Sequence, residues 1–577
     1  MSRKGGHGPA WSTNLARQWV LVLPALVAIG LYLPTRGFDF VWDDLDLIVR
    51  NEALQSGAWD RLLGSDYWST TGGGTGMWRP WVMASFGVDQ ALGGGTPAIF
   101  HLGNMALHAL ASTLVAFLAL ECGLGALAAV FAGVWFASAP ASSEAVAWIS
   151  GRTDLWCTVG ILASIGCEFR ARSGDPKWRL GGILLAAVAL LSKETALILP
   201  VILLAASATE RNAPAWSRWR ALLPYAVLVL AWAIAHRAFA DPSEGAAGAD
   251  PGLRMSAAAM GFAHFQFVWP WAPHAALLEW SPVPDWLAII AWVGFVGVLV
   301  LGVLAWRRAH PLTLPIALAV LPLVPVCTAT FLEPQARFAE RSLYLPLAGI
   351  ALLLAALVAR LRGPRWIRGG VLALCVAAQA QAAVPVIEAW RSDETRIARI
   401  AARRPTDLDA TLGLVDVLGA AGRFAEADAA LGRAERSFSG RAEVRVARAV
   451  LAMRRHDPAG ALQAAEAALQ QDPGVSGGAL IRLRALGELG RREEALAAAR
   501  ELSAQQPTDS RVLAALGHAL LWAGEVEAAR ATLDQAALRH PDDANLAYDQ
   551  GVAAARLGHP ADAEAAMSRA VGADPGL

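Results

Sequence analysis

Asp43 and Asp44 stand side by side a few residues past the first apolar run, in Phe38-Asp39-Phe40-Val41-Trp42-Asp43-Asp44-Leu45-Asp46. A charge near hydrocarbon costs about 2.5–3.5 kcal/mol on insertion scales, so an acidic pair kept there is a candidate for chemistry, the bland alternative being a wetted loop. A positioned carboxylate can take the proton of an attacking hydroxyl, an effect of about 10²–10⁴ in rate.

Other polar blocks interrupt the apolar sequence: Trp78-Arg79-Pro80, the run Pro97 to His108, Glu144 to Asp154 with its Gly151-Arg152-Thr153-Asp154 turn, Ser192-Lys193-Glu194, and Glu340-Arg341-Ser342-Leu343-Tyr344. Each has two readings. Arg152 and Lys193 bind an anion or snorkel from span ends. Glu194 pairs with Lys193 or meets a ligand, and Glu340 with Arg341 is a site element or a structural ion pair. His101 and His108 are seven apart and share a helix face, fit for a metal, a ligand or simple packing. Trp42, Trp68 and Trp78 can stack a sugar ring or anchor the interface. The glycine runs 72–74 and 93–95 lack the strand-loop-helix context of a nucleotide cradle and read as loop punctuation.

The elements that must carry these residues are membrane helices. The chain has 577 residues, 55% hydrophobic and only 17% charged, against about 25% charged in soluble domains. Apolar runs recur between 19 and 388 at 19–34, 98–119, 123–139, 154–169, 180–192, 194–208, 221–238, 286–306, 311–330, 343–360 and 369–388. Basic clusters at 170–179, 211–220, 307–308 and 360–368 all fall on the cytoplasmic side if the Trp- and Pro-rich segment 255–283 is an interfacial or re-entrant hairpin. Eleven spans follow, with the N-terminus cytoplasmic, residues 1–18 a retained start, and every polar block on the outward face. The five cysteines (Cys122, Cys157, Cys167, Cys327, Cys375) have no paired metal spacing and read as small hydrophobes. A net charge of zero argues against nucleic acid as a partner.

Beyond 391–405, read as a linker, the composition turns to Ala, Arg and Glu. Pro473, Pro507, Pro541 and Pro575 lie 34 apart, with Pro405 two periods earlier. Gly422, Gly490, Gly524 and Gly558 share one phase, as do Ala427, Ala461, Ala495, Ala529 and Ala563; His456 and Ser439 are the departures. This period resembles the tetratricopeptide repeat, with about five units over 406–577. Such an array offers a groove for an acceptor protein or peptide, or is a rigid spacer.

The early Asp-Asp, the Gly-Arg-x-Asp turn, Ser-Lys-Glu and Glu-Arg-x-x-Tyr, in that order before tetratricopeptide repeats, resemble the transmembrane-and-tetratricopeptide-repeat O-mannosyltransferases and bacterial relatives. These lie within the polytopic glycosyltransferases that use lipid-phosphate sugars. The resemblance implies an all-α fold, a polytopic helix bundle followed by an α-solenoid, in a bacterial inner membrane with the repeats in the periplasm. It implies an acidic residue of the first outward loop as base or acceptor-site carboxylate, here Asp43 or Asp44, and donor-phosphate cations at Arg152, Lys193 and Arg341. Trp42, Arg79, His101, His108, Glu144, Asp154, Glu194, Glu340 and Tyr344 become candidates for substrate binding. The implied donor is a polyprenyl- or dolichyl-phosphate sugar, a divalent metal being left open. The implied acceptor is a protein Ser or Thr hydroxyl, with inversion at the anomeric carbon. A hydroxyl attacking that carbon must lose its proton, and fixed cations stabilise the departing phosphate. The competing classes are a membrane scaffold for envelope complexes and a lipid-linked glycan transporter.

Overall fold

The computed structural model describes residues 10–69, 76–207, 215–239, 285–308, 310–326, 339–403, 405–475, 477–506, 510–537 and 544–573. The expected hairpin at 255–283, Gly72 to Gly74, Cys327, Pro507, Pro541 and Pro575 lie outside them. All regular elements among the described residues are helical. The chain divides into Met1–Arg396 and Ile397–Leu577.

The first unit contains α1 (Ala10–Tyr32), α2 (Pro80–Gly93), α3 (Pro97–Glu121), α4 (Ala126–Ala137), α5 (Arg152–Arg172), α6 (Trp178–Leu190), α7 (Leu199–Ala206), α8 (Ala215–Phe239), α9 (Asp285–Arg307), α10 (Thr313–Val320), α11 (Tyr344–Arg360) and α12 (Arg365–Glu388). Five described helices are long and apolar enough to cross a bilayer, or six if the bent pair Ala126–Ala137 and Pro140–Ala147 is one span. Their outer faces are apolar: Leu230 and Ile234 on α8 and Leu374 on α12 are all more than 60% exposed. Contiguous faces of that kind are solvated by lipid, which makes this an integral membrane body.

Its interior is built by α1, α3, α4, α5 and α11, which share one continuous core that includes Tyr32, Val115, Phe136, Ile161 and Leu352. Small residues let the axes approach: a Cβ on Gly349 of α11 would collide with the Ala319 backbone at α10.

Between the units, α13 (Asp393–Arg403) covers most of the stretch expected to be a linker. Asp393 and Glu394 in its first turn and Arg403 in its last complement the helix dipole, which favours helix where composition alone suggested a connector.

The second unit is a run of helix pairs: α14 (Leu408–Ala420) with α15 (Phe424–Ser437), α16 (Ala442–Arg454) with α17 (Pro458–Gln471), α18 (Gly478–Glu488) with α19 (Arg492–Gln505), α20 (Ser510–Ala523) with α21 (Val526–Ala537), and α22 (Ala544–Arg556) with α23 (Pro560–Ala573). The first helix of each pair ends in a left-handed residue: Gly422, Gly490, Gly524 and Gly558 at φ 71°, 72°, 85° and 78°, and His456 at 59° in the second pair. The following N–H closes the turn, as in Arg423 to Leu418 O (2.9 Å) and Asp457 to Ala452 O (3.0 Å). Ala427, Ala461, Ala495 and Ala529 are fully buried where the paired helices cross.

Candidate active site

Pro34 and Gly37 end the first span in a tight 3₁₀ turn, Leu33–Gly37, and the chain then runs extended from Phe38. It reverses at Trp42, a non-glycine residue at φ 54°, so Asp43 and Asp44 are presented by strained backbone. A π-helical turn, Leu45–Val49, follows, closed by the Arg50 N–H on Leu45 O (2.8 Å).

The two carboxylates differ. Asp44 is fully buried. Its Oδ1 accepts from the Ser150 N–H (2.9 Å) and hydroxyl (2.5 Å), and its Oδ2 accepts from the Val41 N–H (3.1 Å). It thereby ties the first loop to the Gly-Arg-x-Asp turn. Desolvation still raises it to about 7, against those three hydrogen bonds, which lower it. Asp43 is half-buried, and its carboxylate receives no hydrogen bond among the described residues. Desolvation is the main cause that lifts it to about 6, opposed by Arg341 and then Arg396.

Around Asp43 lies an aromatic column. Trp42 stacks on Trp148 (centroids 4.9 Å apart) and Trp148 on Trp390 (5.9 Å). The Arg396 guanidinium stands 5.0 Å from the Trp42 centroid and that of Arg341 4.8 Å from the Trp148 centroid. With Trp148 and Arg396 against its ring, Trp42 is a wall of the site rather than a free platform. Trp78 is also occupied: it stacks on Phe239 and donates its indole N–H to Leu63 O (2.9 Å).

The other residues marked by the sequence converge on the same end of the bundle, with distinct commitments. Arg341 donates from Nη1 to Glu144 Oε1 (2.5 Å) and from its backbone N–H to Oε2 (3.3 Å), while its side chain stays about a quarter exposed. Glu340, next to it, is buried. Lys193 binds both oxygens of Asp154 (2.6 and 2.7 Å). Arg79 forms a two-point bridge with Glu194 (3.2 and 2.7 Å), which joins the start of α2 to the segment before α7. Arg152 is buried and engaged at every nitrogen: Nε with Asn104 Oδ1 (2.7 Å), Nη1 with Asp89 (2.5 Å), Nη2 with Phe100 O (2.6 Å). It is a buried brace of α2, α3 and α5, with each of its nitrogens already bonded to the protein.

His108 and Tyr344 form one internal pair. The His108 Nε2 lies 3.0 Å from the Ala137 carbonyl and so carries the proton, leaving Nδ1 to accept from the Tyr344 hydroxyl at 2.7 Å. His101 is buried edge-on to Phe38, and neither ring nitrogen meets hydrogen-bond geometry. The indole N–H groups of Trp148 and Trp390 and the Ser143 hydroxyl are likewise buried without an acceptor. Among the described residues no three His, Cys, Asp or Glu side chains gather as a metal site would require.

Ser150, Asn104, Trp148, Trp390, Asp393 and Arg396 escaped the sequence reading as site members. Ser150 and Trp148 lay inside a marked block; Asp393 and Arg396 are some 350 residues from Trp42, and no local pattern links them.

The tetratricopeptide repeat profiles match residues 412–476 and 486–555. Protein O-mannosyl-transferase Tmtc2 of Drosophila melanogaster is 39% identical over 183 residues, 30% of this chain and 20% of that protein. The chain is similar to protein O-mannosyl-transferases. Tmtc1 of the same organism is 36% identical over 33% of this chain and 23% of its own. The human TMTC2 is 33% identical over 30% of this chain and 22% of its own. The chain thus spans about a fifth of the length of these curated relatives. Among solved structures YrrB, titled a tetratricopeptide-repeat protein with an unusual peptide-binding site, covers 31% of this chain and 92% of its own at 16% identity, TM-score 0.25. The resemblance to O-mannosyl-transferases, first visible in the motif order, is met by sequence similarity over about a third of this chain, and the tetratricopeptide repeats by their own profiles.

Proposed function

We propose that the protein is a membrane glycosyltransferase that moves a sugar from a polyprenyl- or dolichyl-phosphate carrier to a Ser or Thr hydroxyl of a protein on the outward face, with Asp43 as base. The observation that carries this reading is the Asp43 carboxylate itself, half-buried, without a hydrogen-bond donor of its own, and faced by Arg341 and Arg396. A base needs a carboxylate that the acceptor hydroxyl can reach: Asp43 is half-buried, whereas Asp44 is fully buried and already accepts three hydrogen bonds. As the acceptor hydroxyl attacks the anomeric carbon, its proton passes to Asp43 and the carbon–phosphate-oxygen bond breaks with inversion. The phosphate leaves with its electron pair toward fixed cations, Arg341 foremost, with Lys193 as a further candidate. The unpaired N–H groups of Trp148 and Trp390 are the kind of donor that a phosphate or a sugar hydroxyl would satisfy. Domain 1–390 does the chemistry and the array at 406–577 recruits the acceptor. Eleven spans, a cytoplasmic N-terminus, periplasmic repeats and a bacterial inner membrane complete the reading.

The test is sugar transfer in reconstituted membranes supplied with polyprenyl-phosphate hexoses and peptide acceptors, comparing wild type, Asp43→Asn and Asp44→Asn at equal amounts of folded protein. The expected outcome is transfer by wild type and a loss of about 10²-fold or more in Asp43→Asn. Undiminished transfer in that variant removes Asp43 from the mechanism, and no transfer with any donor favours the scaffold.

A further inference from the structure

The loop that bears Asp43 does not stand alone. Asp393, at the start of α13, accepts the Trp42 N–H on both oxygens, each at 3.2 Å, across 351 residues of sequence. Its Oδ1 is also bound by Arg396 Nε (3.2 Å) and Nη2 (3.0 Å). The Arg396 guanidinium, carried in this way, lies over the Trp42 ring. Just before, the Asp39 N–H donates to Arg391 O (3.0 Å), and the Arg391 guanidinium stands 5.2 Å from the Phe38 centroid. Segment 391–396 therefore grips both ends of the stretch 39–42.

A bulky residue takes a left-handed backbone only where its surroundings over-determine it. Trp42 is the one non-glycine residue at positive φ among the described residues of this loop, and Asp393 holds the N–H whose direction that φ sets. Asp43 is the next residue, so a change at Trp42 re-aims its carboxylate. We propose that Asp393 and Arg396 are positioning residues for Asp43: Asp393 locks the Trp42 turn that aims the carboxylate, and keeps Arg396 paired to itself instead of to Asp43. The proposal rests on the assignment of Asp43 as base but adds a partner that neither motif nor similarity supplies.

The charge arrangement gives this a signature. Facing Asp43 are Arg341 and Arg396 on the positive side and Asp46 and Glu144 on the negative; its neighbours Asp44 and Tyr67 also couple to it. Removing Asp393 frees Arg396 for Asp43, and a new opposite charge stabilises the ionised carboxylate.

The experiment compares full-length wild type, Asp393→Ala, Asp393→Asn and Arg396→Gln in reconstituted membranes, by steady-state transfer against pH and by hydrogen exchange of peptides covering 38–44. For Asp393→Ala we expect kcat down about tenfold or more with KM for the lipid-phosphate hexose within about threefold, as for a misaimed group. Its acid limb should move down by about one pH unit, whereas that of Arg396→Gln should move up. Asp393→Asn keeps an acceptor for the Trp42 N–H and should recover part of kcat. Exchange at 38–44 should quicken about tenfold in Asp393→Ala, whether or not the protein transfers sugar. Unchanged exchange overturns the clamp. Faster exchange with unchanged kcat and an unmoved acid limb overturns its role in positioning. A wild type that exchanges slowly but transfers nothing sinks the glycosyltransferase reading, and the positioning role with it, while leaving the clamp as a structural fact.

Discussion

Asp44 accepts three hydrogen bonds inside the protein, so its replacement is felt in folding before it is felt in chemistry. Asp44→Ala leaves the Ser150 and Val41 donors buried and unmet, which costs about 1–3 kcal/mol and lowers the apparent Tm. The pH dependence has a definite sign. Burial raises the folded pKa to about 7, well above the roughly 3.9 of a free aspartate, so protonation favours the folded state. The stabilisation is complete below about pH 4 and is lost as the pH rises through about 7. The apparent Tm of wild type in detergent should therefore fall between pH 5 and pH 8, and Asp44→Asn, which cannot ionise, should flatten that slope. An equal slope in both proteins would remove Asp44 as its source. For Asp43, raised to about 6, the consequence is kinetic: the base must be ionised, so transfer should decline toward lower pH below about 6, tenfold per unit.

The repeat helices show which elements a sequence can announce and which it cannot. The 34-residue period was legible because the same physical demand recurs in each unit: a left-handed residue after the first helix and a small one where two helices cross. Even the exception obeys it, since His456 sits where four other units place glycine and takes φ 59° there. A left-handed L-residue costs about 1–2 kcal/mol, and glycine's extra unfolded freedom takes back about 0.4–1. His456→Gly should thus stabilise the α16–α17 pair by about 0.5–1 kcal/mol, read as slower hydrogen exchange in both helices of the full-length protein; faster exchange would mean that the imidazole has contacts worth more than the strain. The candidate site was legible only in part, for a related reason. Motif order marked Asp43, Glu144, Lys193 and Arg341, each followed or preceded by apolar sequence that made it conspicuous. Asp393 and Arg396 sit in a polar stretch where charge is ordinary, and Arg152 was conspicuous for a different cause: a buried cation braced by Asp89, Asn104 and Phe100 looks, in one dimension, like a ligand-binding one.

At the scale of the whole molecule, the ends of the first and last described spans of the membrane unit meet. Asp39, just past α1, donates to the Arg391 carbonyl, just past α12, at 3.0 Å. Both helices therefore run toward the same face, and if both cross a bilayer, as their length and composition allow, we expect an odd number of crossings in all. The proposed eleven spans, with the basic connection Arg360, Arg362, Arg365 and Arg368 on the cytoplasmic side, are one such odd count. On that proposed topology the chain would leave the membrane unit on the face that holds Asp43, as the proposed recruitment of an acceptor by the repeats requires. Single cysteines in a chain cleared of its five natural ones test this. Ser56→Cys in the first loop and Ser439→Cys in the repeats should both react with a membrane-impermeant maleimide added to intact cells or right-side-out vesicles. Leu361→Cys, exposed between α11 and α12, should react only after the membrane is opened. Labelling of Ser439→Cys only after the membrane is opened, while Ser56→Cys reacts from outside, would require an even count, separate the repeats from the face of Asp43, and leave the array no part in presenting an acceptor there.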